Sequence, residues 1–248
     1  MQTSLSFTLL IAIGVLAQNN PGDSTCERFA GLVTEDYYVC NWIDEPYAPE
    51  GQQCITLVDG DASGVSWHAN WTWSEDALWP NSSPWAGRVK FQQKMLRDIE
   101  SMPTKWEWSF DEGVDAKASA SYWLYGDGGC LFMVSWYVGI WLQGIGDVVP
   151  NDGRGLTGEV IGTTTISNVA FDVHLIVPAS SAYRTYLFVA QEDQTSFSGD
   201  LLEFLEWPRN NDGISTLGCV WGVQAGADVY GGDGGFETKT YRLQQNLV

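Results

Sequence analysis

Bulky apolar residues alternate with small or polar ones in short stretches through nearly the whole chain, and this constrains it to an all-β fold. Residues 65–73 (Val-Ser-Trp-His-Ala-Asn-Trp-Thr-Trp) show the pattern best. Successive strand side chains point to opposite faces, so such alternation builds a ribbon with one buried face. Residues 104–110, 116–125, 158–166, 170–177, 184–190 and 218–226 read the same way, separated by Gly, Asn, Asp and Pro clusters. That spacing of strands and turns predicts a β-sandwich or barrel. One segment differs. Leu201, Leu202, Phe204 and Leu205 fall at helical spacing, with Ser198 placed to cap and Pro208 just beyond. They predict one short α-helix near residues 198–207. Residues 79–87, interrupted by Pro80 and Pro84, read as a loop.

Residues 1–17 are uncharged and mostly apolar, and Val15 and Ala17 suit signal-peptidase cleavage before Gln18. The run is too short to span a bilayer. The expectation is a secreted chain, with 1–17 a signal peptide and 18–248 a single domain. The formal net charge of −19 repels nucleic acid and anionic lipid and suits a neutral partner. Thirteen Trp outnumber the twelve Lys and Arg. More than half should be core, and the rest are available to stack on sugars or apolar ligands. His68 and His174 are the only histidines and lack ligand spacing, so no metal and no cofactor is expected. Gly231-Gly232-Asp233-Gly234-Gly235 reads as a flexible loop, and no helix follows it to make a phosphate loop. The sequons at Asn70 and Asn81 are candidate N-glycosylation sites. Five cysteines leave an odd thiol. Cys130 and Cys219 lie on expected buried strands, where a free Cys acts as a small hydrophobe. The pairing of Cys40, Cys130 and Cys219 is open.

Several motifs follow one another in order. Trp42 lies between Cys26 and Cys54. Ser66-Trp67 precedes Trp71-Thr72-Trp73, and Ile-Glu-Ser-Met-Pro-Thr at 99–104 precedes Trp108-Ser109-Phe110. Then come Tyr122 with Leu124-Tyr125, Phe197-Ser198-Gly199-Asp200-Leu201 with Phe204-Leu205, and Val223-Gln224-Ala225-Gly226. In this order, over residues 24–245, the chain resembles glycoside hydrolase family 12, secreted endo-β-1,4-glucanases and xyloglucanases. The resemblance implies a β-jelly roll, a concanavalin-like sandwich of two curved antiparallel sheets. It implies a Cys26–Cys54 disulfide and an aromatic cleft that includes Trp42 and Trp71, with β-glucan or xyloglucan as ligand.

A retaining glycosidase needs two carboxyl groups about 5–5.5 Å apart. The family's nucleophile strand reads aromatic-Glu-aliphatic-Met-aliphatic-Trp. Matched on Met133, it falls on residues 130–135 and places Leu131 at the nucleophile and Ser135 at the cleft Trp. Leu131, Met133 and Ser135 would then floor the cleft. The family's Asp beside the nucleophile falls on Trp123. No Asp or Glu occurs anywhere from Gly128 to Gly146. The acid/base Glu falls on Asp228, a shorter acid beside the cleft residue Tyr230, and a plain turn residue is the competing reading there. The carboxylate pair is therefore expected to be lost. Three functions follow from these residues: an impaired or divergent glucanase, a glycan-binding pseudoenzyme or decoy, and a cleft repurposed for a hydrophobic small molecule with Asp228 as lone acid.

Overall fold

The computed structural model describes residues 18–44, 50–74, 77–131, 133–179, 183–211 and 218–248; the expected signal peptide, 1–17, lies outside them. The strands are β1 (Ser24–Thr25), β2 (Gly31–Val33), β3 (Tyr37–Ile43), β4 (Gly51–Asp61), β5 (Gly64–Trp73), β6 (Ser82–Arg88), β7 (Lys94–Met95), β8 (Ile99–Ser101), β9 (Pro103–Glu112), β10 (Lys117–Asp127), β11 (Trp136–Ile145), β12 (Glu159–Ile166), β13 (Val169–Ile176), β14 (Arg184–Ala190), β15 (Ser196–Asp200), β16 (Cys219–Leu243) and β17 (Asn246–Leu247). The helix α1 (Leu202–Asn211) follows β15.

Two layers share one long strand. The first half of β16 pairs with β10 and β6 in the layer β2-β3-β6-β16-β10-β11-β14-β13-β12. Its second half pairs with β5 and β9 in the layer β1-β4-β5-β16-β9-β15. The fold is the expected β-sandwich, with one departure from antiparallel pairing: β11 and β14 run parallel.

The glycine run 231–235 is not a loop. It lies within β16, where the strand passes from one layer to the other. Gly232 has φ +71°, and a Cβ there would stand 2.1 Å from the Asp115 carbonyl oxygen. Only glycine allows this crossing. Residues 82–88 are likewise a strand, not a loop. Ala86, Trp85 and Ser82 pair with β16 while Pro84 falls in a gap of that ladder, so its missing N–H costs no bond there.

The core lies between the layers. Trp106 of β9 stacks on Trp108 at 4.3 Å and meets Tyr122 of β10 edge-on at 4.9 Å. Trp71 belongs to this core, 3% exposed, and not to the cleft. It shares strand parity with Trp67 and Trp73, which are also buried here. The helix begins at Leu202, later than Ser198, because Ser196–Asp200 forms β15 against β9 and buries Phe197 by period-2 alternation. Asp200 Oδ1 accepts the Leu202 N–H at 2.9 Å and so caps the helix. Phe204 packs against Phe171 and Phe188 at 5.2 and 5.0 Å.

Cys26–Cys54 is a disulfide, as implied. Cys130 and Cys219, whose pairing the sequence leaves open, form a second one, and Cys40 is the free thiol, buried.

Candidate functional site

The outward face of the β2-to-β12 layer carries the site. On β11, Trp136, Val138, Ile140 and Leu142 enter the core, so Tyr137, Gly139 and Trp141 face outward. On β10, Ala118, Ala120, Tyr122 and Leu124 go inward, leaving Ser119, Ser121, Trp123 and Tyr125 outward. On β16, Gln224, Gly226, Asp228 and Tyr230 face outward, opposite Val223, Ala225, Ala227 and Val229. The outward residues Trp141, Ile176, Leu187 and Tyr230 form an apolar cluster of their own, with Trp123, Val148 and Val189 against it.

Asp228 is a strand residue, which removes the turn reading, and it is 6% exposed. Ser83 Oγ donates to its Oδ1 at 2.7 Å, while Trp123 Nε1 and Ser121 Oγ donate to its Oδ2 at 3.2 and 3.5 Å. Burial raises its pKa, and the hydrogen bonds from Ser83, Trp123 and Ser121 oppose the shift. Tyr230 is buried alongside, and its hydroxyl accepts from Asn151 Nδ2 at 3.1 Å. Desolvation also raises this phenol's pKa, and the nearby Asp228 adds to the shift.

Tyr137 pairs with Tyr125, whereas Asp228 pairs with Ser119. Tyr137 and Asp228 thus flank opposite ends of one stretch of β10, with Trp123 and Ser121 between. The loop after β11 reaches over this stretch. Asn151 holds Tyr230, and a Cβ on Gly153 would lie 3.8 Å from the Trp123 indole. The Arg154 guanidinium sits 4.6 Å from the Tyr183 ring centroid and 5.6 Å from that of Tyr137. These two rings meet edge-on at 5.4 Å. Gly155 abuts the Leu78 backbone.

Leu131 and Met133 do not floor this surface. They are 76% and 75% exposed in the loop before β11, and Ser135 lies at the end of that loop. The loop is built by Asp127, which accepts the backbone N–H groups of Gly129 at 2.9 Å, of Cys130 and of Leu131. Those bonds and the Cys130–Cys219 bridge occupy residues that a strand would have paired. The family's strand pattern fits six residues later. Trp136, Val138, Ile140 and Trp141 take its aromatic, aliphatic, aliphatic and Trp positions, with Tyr137 at the Glu and Gly139 at the Met. The dipeptide Ile140-Trp141 was the signal that could have set this register from the sequence.

Trp123 and Trp42 both lie on the outward face. Trp42 is half-buried on β3, distant in strand order from β11, with Phe29 edge-on at 4.5 Å. Asn81 is no surface acceptor for a glycan: it is 1% exposed, and its Nδ2 donates to the Tyr230 carbonyl at 2.9 Å. Asn70 is exposed. Among the described residues no group of His, Cys, Asp or Glu is placed to hold a metal.

The sequence model of glycosyl hydrolase family 12 matches residues 36–245. The chain belongs to this family. A probable xyloglucan-specific endo-β-1,4-glucanase A of Aspergillus fumigatus is 28% identical over 240 residues, covering 94% of each chain. The xyloglucan-specific endo-β-1,4-glucanase A of Emericella nidulans is 29% identical over 75% of this chain and 74% of its own. Among solved structures, Trichoderma harzianum endoglucanase 3 superposes with a TM-score of 0.81 at 27% identity, covering 91% of this chain and 98% of its own. The catalytic domain of Humicola grisea Cel12A, at 21% identity, shares the fold with a TM-score of 0.80, covering 90% and 99%.

Proposed function

We propose that this chain is a secreted family 12 protein that binds a β-1,4-glucan-type ligand without hydrolysing it, as a glycan-binding pseudoenzyme or decoy. Tyr137 carries this reading. It stands on β11 where the family pattern has its nucleophilic Glu, in a stretch from Gly128 to Gly146 without any Asp or Glu. A phenol in that place does not supply the second carboxylate of the usual retaining pair. The nearest acid offers no substitute: Asp127 is buried and its carboxylate already accepts loop N–H groups. Asp228 remains as one buried acid, able to donate or accept a single proton but not to form a pair.

The ligand class follows from family membership and from the aromatic residues Trp42, Tyr38, Trp85 and Trp123 on the outward face. Secretion rests on residues 1–17, and no helix among the described residues is long and apolar enough to cross a membrane. A second reading, a cleft for a small apolar molecule, is favoured by the cluster around Trp141, Ile176, Leu187 and Tyr230.

Titration calorimetry with xyloglucan oligosaccharides, run beside a reducing-end assay, tests the proposal. It expects heat of binding and no new reducing ends. Turnover that Asp228→Asn abolishes would refute it, and absence of binding would favour the small-molecule reading.

A further inference from the structure

We infer that Arg154, seated on Tyr137 and Tyr183, is a recognition site for a carboxylate on the ligand. This rests on the binding reading of the site and names the ligand's chemistry more closely. The chain has 31 acidic residues against 12 basic ones, so an arginine without an acidic partner is unexpected. Arg88, Lys90, Arg97 and Lys105 each pair with an acid, whereas the contacts of the Arg154 guanidinium are with two tyrosines. Its guanidinium instead rests on two tyrosine rings, 4.6 and 5.6 Å from their centroids, and the residue is exposed. Stacking and side-chain hydrogen bonds to Tyr183 and Tyr137 fix the planar fork, and its five N–H donors exceed what those two hydroxyls take, which leaves donors for a carboxylate.

The loop that presents Arg154 is pre-shaped. Asn151 Oδ1 accepts the Gly153 N–H at 2.8 Å, and Asp152 Oδ1 accepts those of Arg154 and Leu156 at 3.0 and 3.1 Å. Strand β11 beneath it carries no acid to repel an anion. The overall charge of −19 opposes any anion at long range, but screening confines that field to about 8 Å at physiological ionic strength. Beginning two residues after Arg154, a cavity of about 600 Å³ is lined by Leu156, Ile161, Leu175, Ile176 and Val177, with the acid Glu159 also in its wall. It offers room for the apolar body of a small acid. The carboxylate could therefore belong to an acidic β-1,4-linked saccharide or to a small apolar acid.

The test uses the full secreted chain at physiological salt and three probes: cellotriose, a glucuronate-containing cello-oligosaccharide of equal length, and cinnamate. Binding is measured for wild type, Arg154→Gln and Arg154→Lys, with near-ultraviolet circular dichroism confirming the fold. The expected result is at least tenfold tighter binding of the acidic saccharide than of cellotriose, a preference lost in Arg154→Gln and partly kept in Arg154→Lys. If neither saccharide binds but cinnamate does, with Arg154 dependence, the carboxylate site stands and the glucan reading falls. Equal binding of acidic and neutral saccharides, or binding of carboxylates that Arg154→Gln leaves unchanged, would overturn the inference. So would failure of both carboxylates to bind.

Discussion

The indole N–H of Trp123 on β10 donates to Asp228 Oδ2 on β16 at 3.2 Å, a bond between adjacent strands across the outward face. One side chain thereby occupies the middle of the cleft face and engages the remaining acid. Asp228 is held by Ser83 and Ser121 as well, in a setting that excludes most water.

The pH dependence of stability should report this burial. Because desolvation raises the Asp228 pKa, the unfolded chain loses this proton at lower pH than the folded chain. Its contribution is full below the unfolded value, about 3.9, and declines as pH rises through the folded value. Urea unfolding of wild type and Asp228→Asn should show wild type losing stability relative to the variant as pH rises from 3 to 7. A gap that stays constant, or moves the other way, contradicts the burial.

Much of this architecture was legible in the alternation, because period-2 patterning is local. The strand around Trp67 and the strand around Phe188 were readable for that reason. The nucleophile strand was not. Residues 130–135 read as strand-like in sequence as Trp136–Trp141, but the non-local Cys130–Cys219 bridge and the Asp127 side chain hold Cys130 and Leu131 outside any strand. Trp71 was assigned to the cleft although its even spacing from Trp67 puts both on one face, which here is the core. The glycines at 231–235 gave a turn signal, yet tertiary pairing carries β16 through them. Arg154 had no sequence signal at all, since its partners Tyr137 and Tyr183 are distant along the chain.

Removing the Cys130–Cys219 bridge, which spans 89 residues, should cost about 4 kcal/mol by loss of the restraint on the unfolded chain. The double Cys→Ala variant checked by denaturant unfolding should lose most of that. A loss below about 1 kcal/mol would mean the bridge does not restrain the unfolded chain as described.

Cys40 should be silent in the folded protein. Burial pushes its thiol up to about 12, so at pH 8 roughly one molecule in ten thousand carries the thiolate. Ellman's reagent without reductant should detect no thiol in the native protein and one in denaturant. Fast native labelling would place Cys40 at the surface.

Expression in a eukaryotic secretory host should place glycan at Asn70 and none at Asn81. Asn81→Gln should leave the mass of attached sugar unchanged. It should also lower stability by about 1–3 kcal/mol, since the Tyr230 carbonyl loses a buried donor. Glycan found on Asn81 by peptide mass spectrometry would contradict its buried position.

The most direct test of the central claim is incubation with a 2-fluoro cellotrioside that traps the glycosyl ester of retaining glucanases, followed by intact-mass measurement. On the proposal that Tyr137 stands where the family has its nucleophile, the mass should stay that of the free protein, and reducing-end release from xyloglucan should fall about 10⁴–10⁶-fold below that of an active family member. A stoichiometric mass gain localised to any Asp or Glu of this chain, or to Tyr137 itself, would contradict the account.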